Sequence, residues 1–123
     1  MKKTALITGA TAGLGRAIAM RLAKEGCNVI ITGRRKERLE ELEKEIEIKY
    51  ESKVYSLCFD VRVYKEVEDA INSLPEEWRN IDILVNNAGL AVGLAPIQEG
   101  EVDDWERMID TNIKGLLYVT RIV

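Results

Sequence analysis

The chain switches its hydrophobic period again and again, and that alternation narrows its architecture more than any single residue does. Short apolar runs stand at Ala5–Ile7, Val29–Ile31, Val54–Leu57 and Ile81–Val85. Each is too short for a helix and rich in β-branched side chains, as strands buried on both faces are. Between them, apolar residues recur at helical spacing. Leu14, Ile18 and Leu22 form one stripe, and Leu39, Leu42 and Ile46 a second. Val63, Val67, Ala70, Ile71 and Leu74 form a third, which Pro75 stops. The second segment carries Glu40–Lys44 and Glu45–Lys49 in the favourable i,i+4 order, the mark of a solvated face rather than a binding patch. Strands alternating with helices predict a Rossmann-like, doubly wound α/β fold: a parallel sheet with right-handed crossovers and helices on both faces. After the fourth strand, residues 87–100 hold three glycines and a proline and read as a loop leaving the carboxyl edge of the sheet. A last helix is expected from about Val102 to the end. Glu99, Glu101, Asp103 and Asp104 lie near its start, where the helix dipole favours negative charge.

Composition excludes several functions. At 123 residues, 46% apolar and 32% charged, the chain is one globular domain's worth. A net charge of −3 gives no reason to expect nucleic acid or an anionic membrane as partner. Histidine is absent, which rules out imidazole catalysis and histidine-ligated metal, and no metal site is expected. Cys27 and Cys58 lack CxxC spacing and read as small core residues in a reduced, cytoplasmic setting. The start MKKTALI imitates a secretory signal, but Thr8, Gly9 and Arg16 interrupt it before an apolar core of roughly 7–15 residues forms. No stretch approaches the roughly 20 apolar residues of a membrane span.

The residues TGATAGLG, Thr8 to Gly15, occupy the first strand-to-helix junction. A turn there gathers backbone N–H groups at a helix N-terminus, which makes an anion site. Gly9 permits the tight turn, Gly13 lets a pyrophosphate approach the backbone, and Gly15 lets helix and sheet pack closely. A plain glycine-rich turn is the competing reading. No GK[ST] follows, which argues against a triphosphate P-loop.

The second strand selects among dinucleotides. An acidic residue at its end binds a ribose 2′-hydroxyl, whereas arginine accommodates a 2′-phosphate. Here Gly33 takes the acid's place and Arg34 and Arg35 follow, so NADP is the expected cofactor. Alternatively, both arginines are ordinary first-turn residues of an exposed helix. Asp60, in FDV, ends the third strand where an adenine amino group would lie. NNAG, Asn86 to Gly89, ends the fourth, placed to bridge strands or hold a ribose. Either stretch alone is also compatible with turn chemistry.

With TGATAGLG, GRR, DV, NNAG and DTNIKG in this order and spacing, the chain resembles the short-chain dehydrogenase/reductase family over its whole length. GRRKERL, NIDILVNNAGLAVGL and DWERMIDTNIKGLLYVTR further resemble the branch of NADP-dependent 3-hydroxy acid dehydrogenases, which oxidise serine and related hydroxy acids. The resemblance implies a pyrophosphate loop made by Gly9, Ala10, Thr11, Ala12, Gly13, Leu14 and Gly15. It implies 2′-phosphate ligands in Arg34 and Arg35, and adenine contacts at Asp60 and Val61. Asn87, Ala88 and Gly89 would meet the ribose and nearby cofactor backbone. Asn112 would be the active-site asparagine that holds a water in the proton relay. Ala12 departs from the pattern, since many NADP-dependent members carry a basic residue there; phosphate preference then rests on Arg34 and Arg35.

The same resemblance implies a serine and a YxxxK pair for proton transfer. None of Tyr50, Tyr55, Tyr64 and Tyr118 has lysine four residues on. The sequence therefore reads as the N-terminal half of such an enzyme, a single NADP-binding domain over residues 1–123, incomplete at its C-terminus and without useful activity alone. A non-catalytic NADP(H)-binding or structural fragment is the alternative. In the order 3-2-1-4-5-6 the fourth strand is interior. Left without its next neighbour it becomes an apolar edge, and self-association into a homo-oligomer is expected.

Overall fold

A computed structural model of the chain describes residues 2–11, 13–88, 102 and 116–123. The four β-branched runs become strands: β1 (Thr4–Ile7), β2 (Asn28–Gly33), β3 (Val54–Cys58) and β4 (Ile83–Val85). The helix-spaced segments become α1 (Gly13–Lys24), α2 (Lys36–Lys49) and α3 (Tyr64–Asn72), and a fourth helix, α4, covers Leu116–Ile122. The strands form one parallel sheet in the order β3-β2-β1-β4. Chain order therefore runs outward from β1 to β3 and then jumps back across β1 to β4. The switch point lies between β1 and β4, where ligands settle in open α/β sheets.

Alternate strand residues feed two cores. Ala5, Ile7, Val29 and Ile31 pack with Ala19 and Ala23 of α1 and Leu39, Leu42 and Ile46 of α2. Leu6 and Ile30 face the other way, toward Val67 and Ile71 of α3, Trp78 and Val119 of α4. Strands buried on both sides cannot alternate with polar residues, which explains the near-continuous apolar runs. Fully burying each such Ile or Leu contributes about 1.5–3 kcal/mol. Polar ties set the register at the amino edge: Asp82 accepts from the Thr4 N–H at 2.9 Å and donates its own N–H to Thr4 O at 2.9 Å.

Four sequence expectations need correction. In α1 the buried face is Gly15, Ala19 and Ala23, while Leu14 is 68% exposed and Ile18 and Leu22 are half-buried at the flank. The sheet selects the small residues because they let the helix axis come closest, and the larger ones then fill the sides. The third stripe starts at Val67, since Val63 is the exposed N-cap of α3. β4 begins at Ile83, not Ile81. Cys27 packs half-buried against the first core, but Cys58 is exposed, because it ends β3 at the outer side of the sheet.

Candidate dinucleotide site

The described residues that the sequence singled out at strand ends gather on the carboxyl edge of the sheet. At the β1–α1 junction the main chain is locked from beneath. The Thr8 side chain is buried, and its hydroxyl accepts N–H bonds from Asn87 and Ala88, both at 2.9 Å, while donating to Val85 O at 3.4 Å. Ala10 N–H donates to Thr32 O at 3.0 Å, and the buried Thr32 hydroxyl donates to Ile7 O at 3.3 Å. Asn87 Nδ2 donates to Gly9 O at 3.2 Å. Three strands and the loop are thus sewn together by two threonines and an asparagine.

Two glycines are required by this close packing. Gly9 has φ of 62°, and a Cβ there would lie 2.9 Å from Ala88 Cα. At Gly15 a Cβ would fall 2.0 Å from Gly9 O, inside the atom it would touch. Substitution at either must push the loop out of place. The first four N–H groups of any helix lack intrahelical acceptors, and α1 has no acidic residue in its first turn. Its positive end therefore lies open to an anion. Arg16 is not directed there; it pairs with Glu45 of α2, and this guanidinium, then Lys49, holds the Glu45 carboxyl below its usual range.

The β2–α2 junction carries charge. Arg34, Arg35 and Lys36 are exposed and directly precede or begin α2, whose N-cap Arg35 makes no side-chain capping bond. Three cations at the positive end of a helix oppose its dipole. A bound dianion would relieve that opposition. Gly33 leaves room for the loop: a Cβ there would stand 2.8 Å from the Thr11 methyl group.

At the end of β3, Val61 is buried in the second core. The Asp60 carboxylate receives Arg62 bidentately, with Nε at 3.0 and 3.1 Å and Nη2 at 2.7 Å, plus the Arg62 main-chain N–H at 2.9 Å. Those bonds hold the Asp60 carboxyl below its usual range against a burial effect that raises it, and Arg34 adds a smaller downward pull. The two asparagines of NNAG divide their work: Asn87 ties β4 to the glycine loop, and Asn86 Nδ2 donates to Thr120 Oγ1 of α4 at 2.9 Å.

Of the predicted site residues, Gly9, Ala10, Thr11, Gly13, Leu14, Gly15, Arg34, Arg35, Asp60, Val61, Asn87 and Ala88 stand on this one edge, and Ala12, Gly89 and Asn112 lie outside the described residues. Sequence reasoning passed over Thr8 as a strand end and Thr32 entirely. The available signal was a threonine closing each of two otherwise apolar runs, where a buried hydroxyl needs partners. Among the described residues no cluster of potential metal ligands occurs, and no helix is long and apolar enough to cross a membrane.

A glycine-rich strand-to-helix junction at the switch point of a parallel sheet is the mark of dinucleotide-binding α/β proteins, and the short-chain dehydrogenase model matches residues 3–123. The chain belongs to the short chain dehydrogenase family. It is 53% identical over 118 residues to the NADP-dependent 3-hydroxy acid dehydrogenase of Escherichia coli K12, covering 96% of this chain and 46% of that protein. It is 50% identical over 123 residues to sulfoacetaldehyde reductase 2 of Chromohalobacter salexigens, covering 100% of this chain and 48% of that one. The closed form of serine dehydrogenase complexed with NADP+ superposes with a TM-score of 0.90 at 51% identity, over 98% of this chain and 47% of that structure. The chain thus spans about half the length of the relatives it matches.

Proposed function

We propose that residues 1–123 form the NADP-binding domain of an oxidoreductase that moves hydride between nicotinamide and a small 3-hydroxy acid such as serine. The observation that carries this reading is the cationic tip of β2, Gly33-Arg34-Arg35-Lys36, set against a helix dipole that a phosphate would satisfy. NADP, when bound, supplies the nicotinamide carbon that accepts or gives the hydride. The chain's own residues do the rest. Main-chain N–H groups from Gly9 to Gly15 hold the diphosphate, and the guanidinium groups of Arg34 and Arg35 bind the 2′-phosphate through charge-assisted bonds. By the family resemblance, Asp60 and Val61 would meet the adenine, Asn87, Ala88 and Gly89 the ribose, and Asn112 would hold a water for proton transfer. The relatives named for 3-hydroxy acids and serine support this substrate class and the NADP cofactor, while sulfoacetaldehyde reductase 2, nearly as similar, is named for a different substrate.

The alternative is a non-catalytic NADP(H)-binding unit, which would hold the same cofactor without moving hydride. General acid–base help is worth roughly 10²- to 10⁴-fold, so these 123 residues alone should turn over at least about 100-fold more slowly than the E. coli relative. Cofactor titration separates these readings from a chain with no cofactor. NADPH should bind more tightly than NADH, and Arg34→Ala with Arg35→Ala should cost NADPH about 10- to 100-fold while sparing NADH. Equal loss of both, or no binding of either by the parent chain, would defeat the proposal.

A further inference from the structure

A carboxylate beside a 2′-phosphate site is an obstacle, and Asp60 stands there. Cys58 pairs with Gly33 across the sheet, Phe59 N–H donates to Gly33 O at 3.0 Å, and Cys58 Sγ donates to Arg34 O at 3.5 Å. These contacts bring the peptide of Asp60 alongside Gly33 and Arg34. Unopposed, the Asp60 charge would repel a phosphate and compete with it for the Arg34 guanidinium.

Arg62 answers that problem. Its side chain engages both Asp60 oxygens and its own N–H adds a further bond to Oδ1. The turn that places it is closed by Val63 N–H donating to Asp60 O at 3.1 Å. The pair is not a loose surface contact: the side chains of Arg62 and Asp60 are only 29% and 18% exposed. Two residues of separation and a bidentate fork make the geometry largely preorganised, so little side-chain freedom remains to be lost.

We propose that Arg62 is a selectivity-determining positioning residue, which clamps and neutralises the Asp60 carboxylate so that Arg34 and Arg35 are left to the 2′-phosphate. This inference rests on the NADP reading above. It assigns cofactor preference to a third arginine that stands across the rim from the two the sequence points to.

Calorimetric titration with adenosine 2′,5′-bisphosphate and with 5′-AMP tests it, since the two differ only by the 2′-phosphate. The parent chain should prefer the bisphosphate. Arg62→Gln, which keeps part of the stem and removes the charge, should lower that preference about five- to tenfold. Asp60→Asn should preserve or raise it. The double variant, in which two amides can still hydrogen-bond, should return to the preference of Asp60→Asn, and this arm does not depend on Arg62→Gln folding well. An unchanged preference in Arg62→Gln overturns the clamp, and so does a double variant below Asp60→Asn, which would mean that Arg62 meets the ligand itself. A parent chain indifferent to the 2′-phosphate overturns the NADP reading and the clamp together.

Discussion

The first two strand-to-helix junctions lie side by side on one edge of the sheet and are built in opposite ways. At β1–α1 the chain is sewn down from beneath: Thr8 and Ala10 are inaccessible, two threonine hydroxyls bridge strands, and Gly15 touches the Gly9 carbonyl with no room for a Cβ. At β2–α2 the chain displays exposed cations with no capping bond. The first junction is a shape, suited to the diphosphate that every dinucleotide shares. The second is a charge, suited to the one phosphate that distinguishes two of them. On the proposed function, affinity and selectivity would be separated, each vulnerable to a different kind of substitution.

The sharpest way to break the first junction is Gly15→Val. The added side chain has no space, so unfolding by urea should show a loss of roughly 3 kcal/mol or more, with NADPH and NADH binding lost together. Thr8→Val keeps the volume but takes the acceptor from the Ala88 N–H and leaves the Asn87 N–H with Val85 O alone. It should cost about 1–3 kcal/mol of stability and, by fluorescence titration, leave the ratio of the two cofactor affinities unchanged. A change in that ratio would mean that shape and charge are not separate after all.

The smallest effect concerns α2, which carries the second junction. Burial, then Glu47 and Glu40, raises the Glu43 carboxyl above its ordinary 4.5. A group with a raised folded-state value favours folding most when protonated, so its ionisation destabilises the fold as pH rises through that value. Glu43→Gln should therefore stabilise the chain by about 0.2–0.5 kcal/mol at neutral pH. Thermal melts should show the gain fading as pH falls through the raised folded-state value toward the ordinary carboxylate range, and absent below it. Cofactor selectivity should not move.

Much of this was legible in the linear chain. The four apolar runs are strands because β-branched residues in short blocks suit a sheet covered on both faces, and the doubly wound order follows from the crossovers. The motifs at strand ends share one edge by topology alone, since every parallel strand ends on the same side. What periodicity missed was finer. It put Leu14 on the buried stripe of α1, because a large apolar residue weighs more in a pattern than Gly15 or Ala19. Packing reversed that choice, since a helix resting on a fully buried β1 gains more from close approach than from one more leucine. It also took Cys58 for core, because position along a strand does not reveal which strand lies outermost.

By itself, then, the sequence determined the succession of strands and helices, the glycines at the first junction and the arginines at the second. These are local matters, set by period, backbone freedom and charge. Only the tertiary structure decided that Thr8 would receive two amides from beyond the end of β4, and that the Asp60–Arg62 pair, itself a local contact, would come to lie beside Arg34. Those contacts join or align residues that different strands bring together. Their partners are chosen by the register and order of the sheet, which no stretch of chain can specify alone.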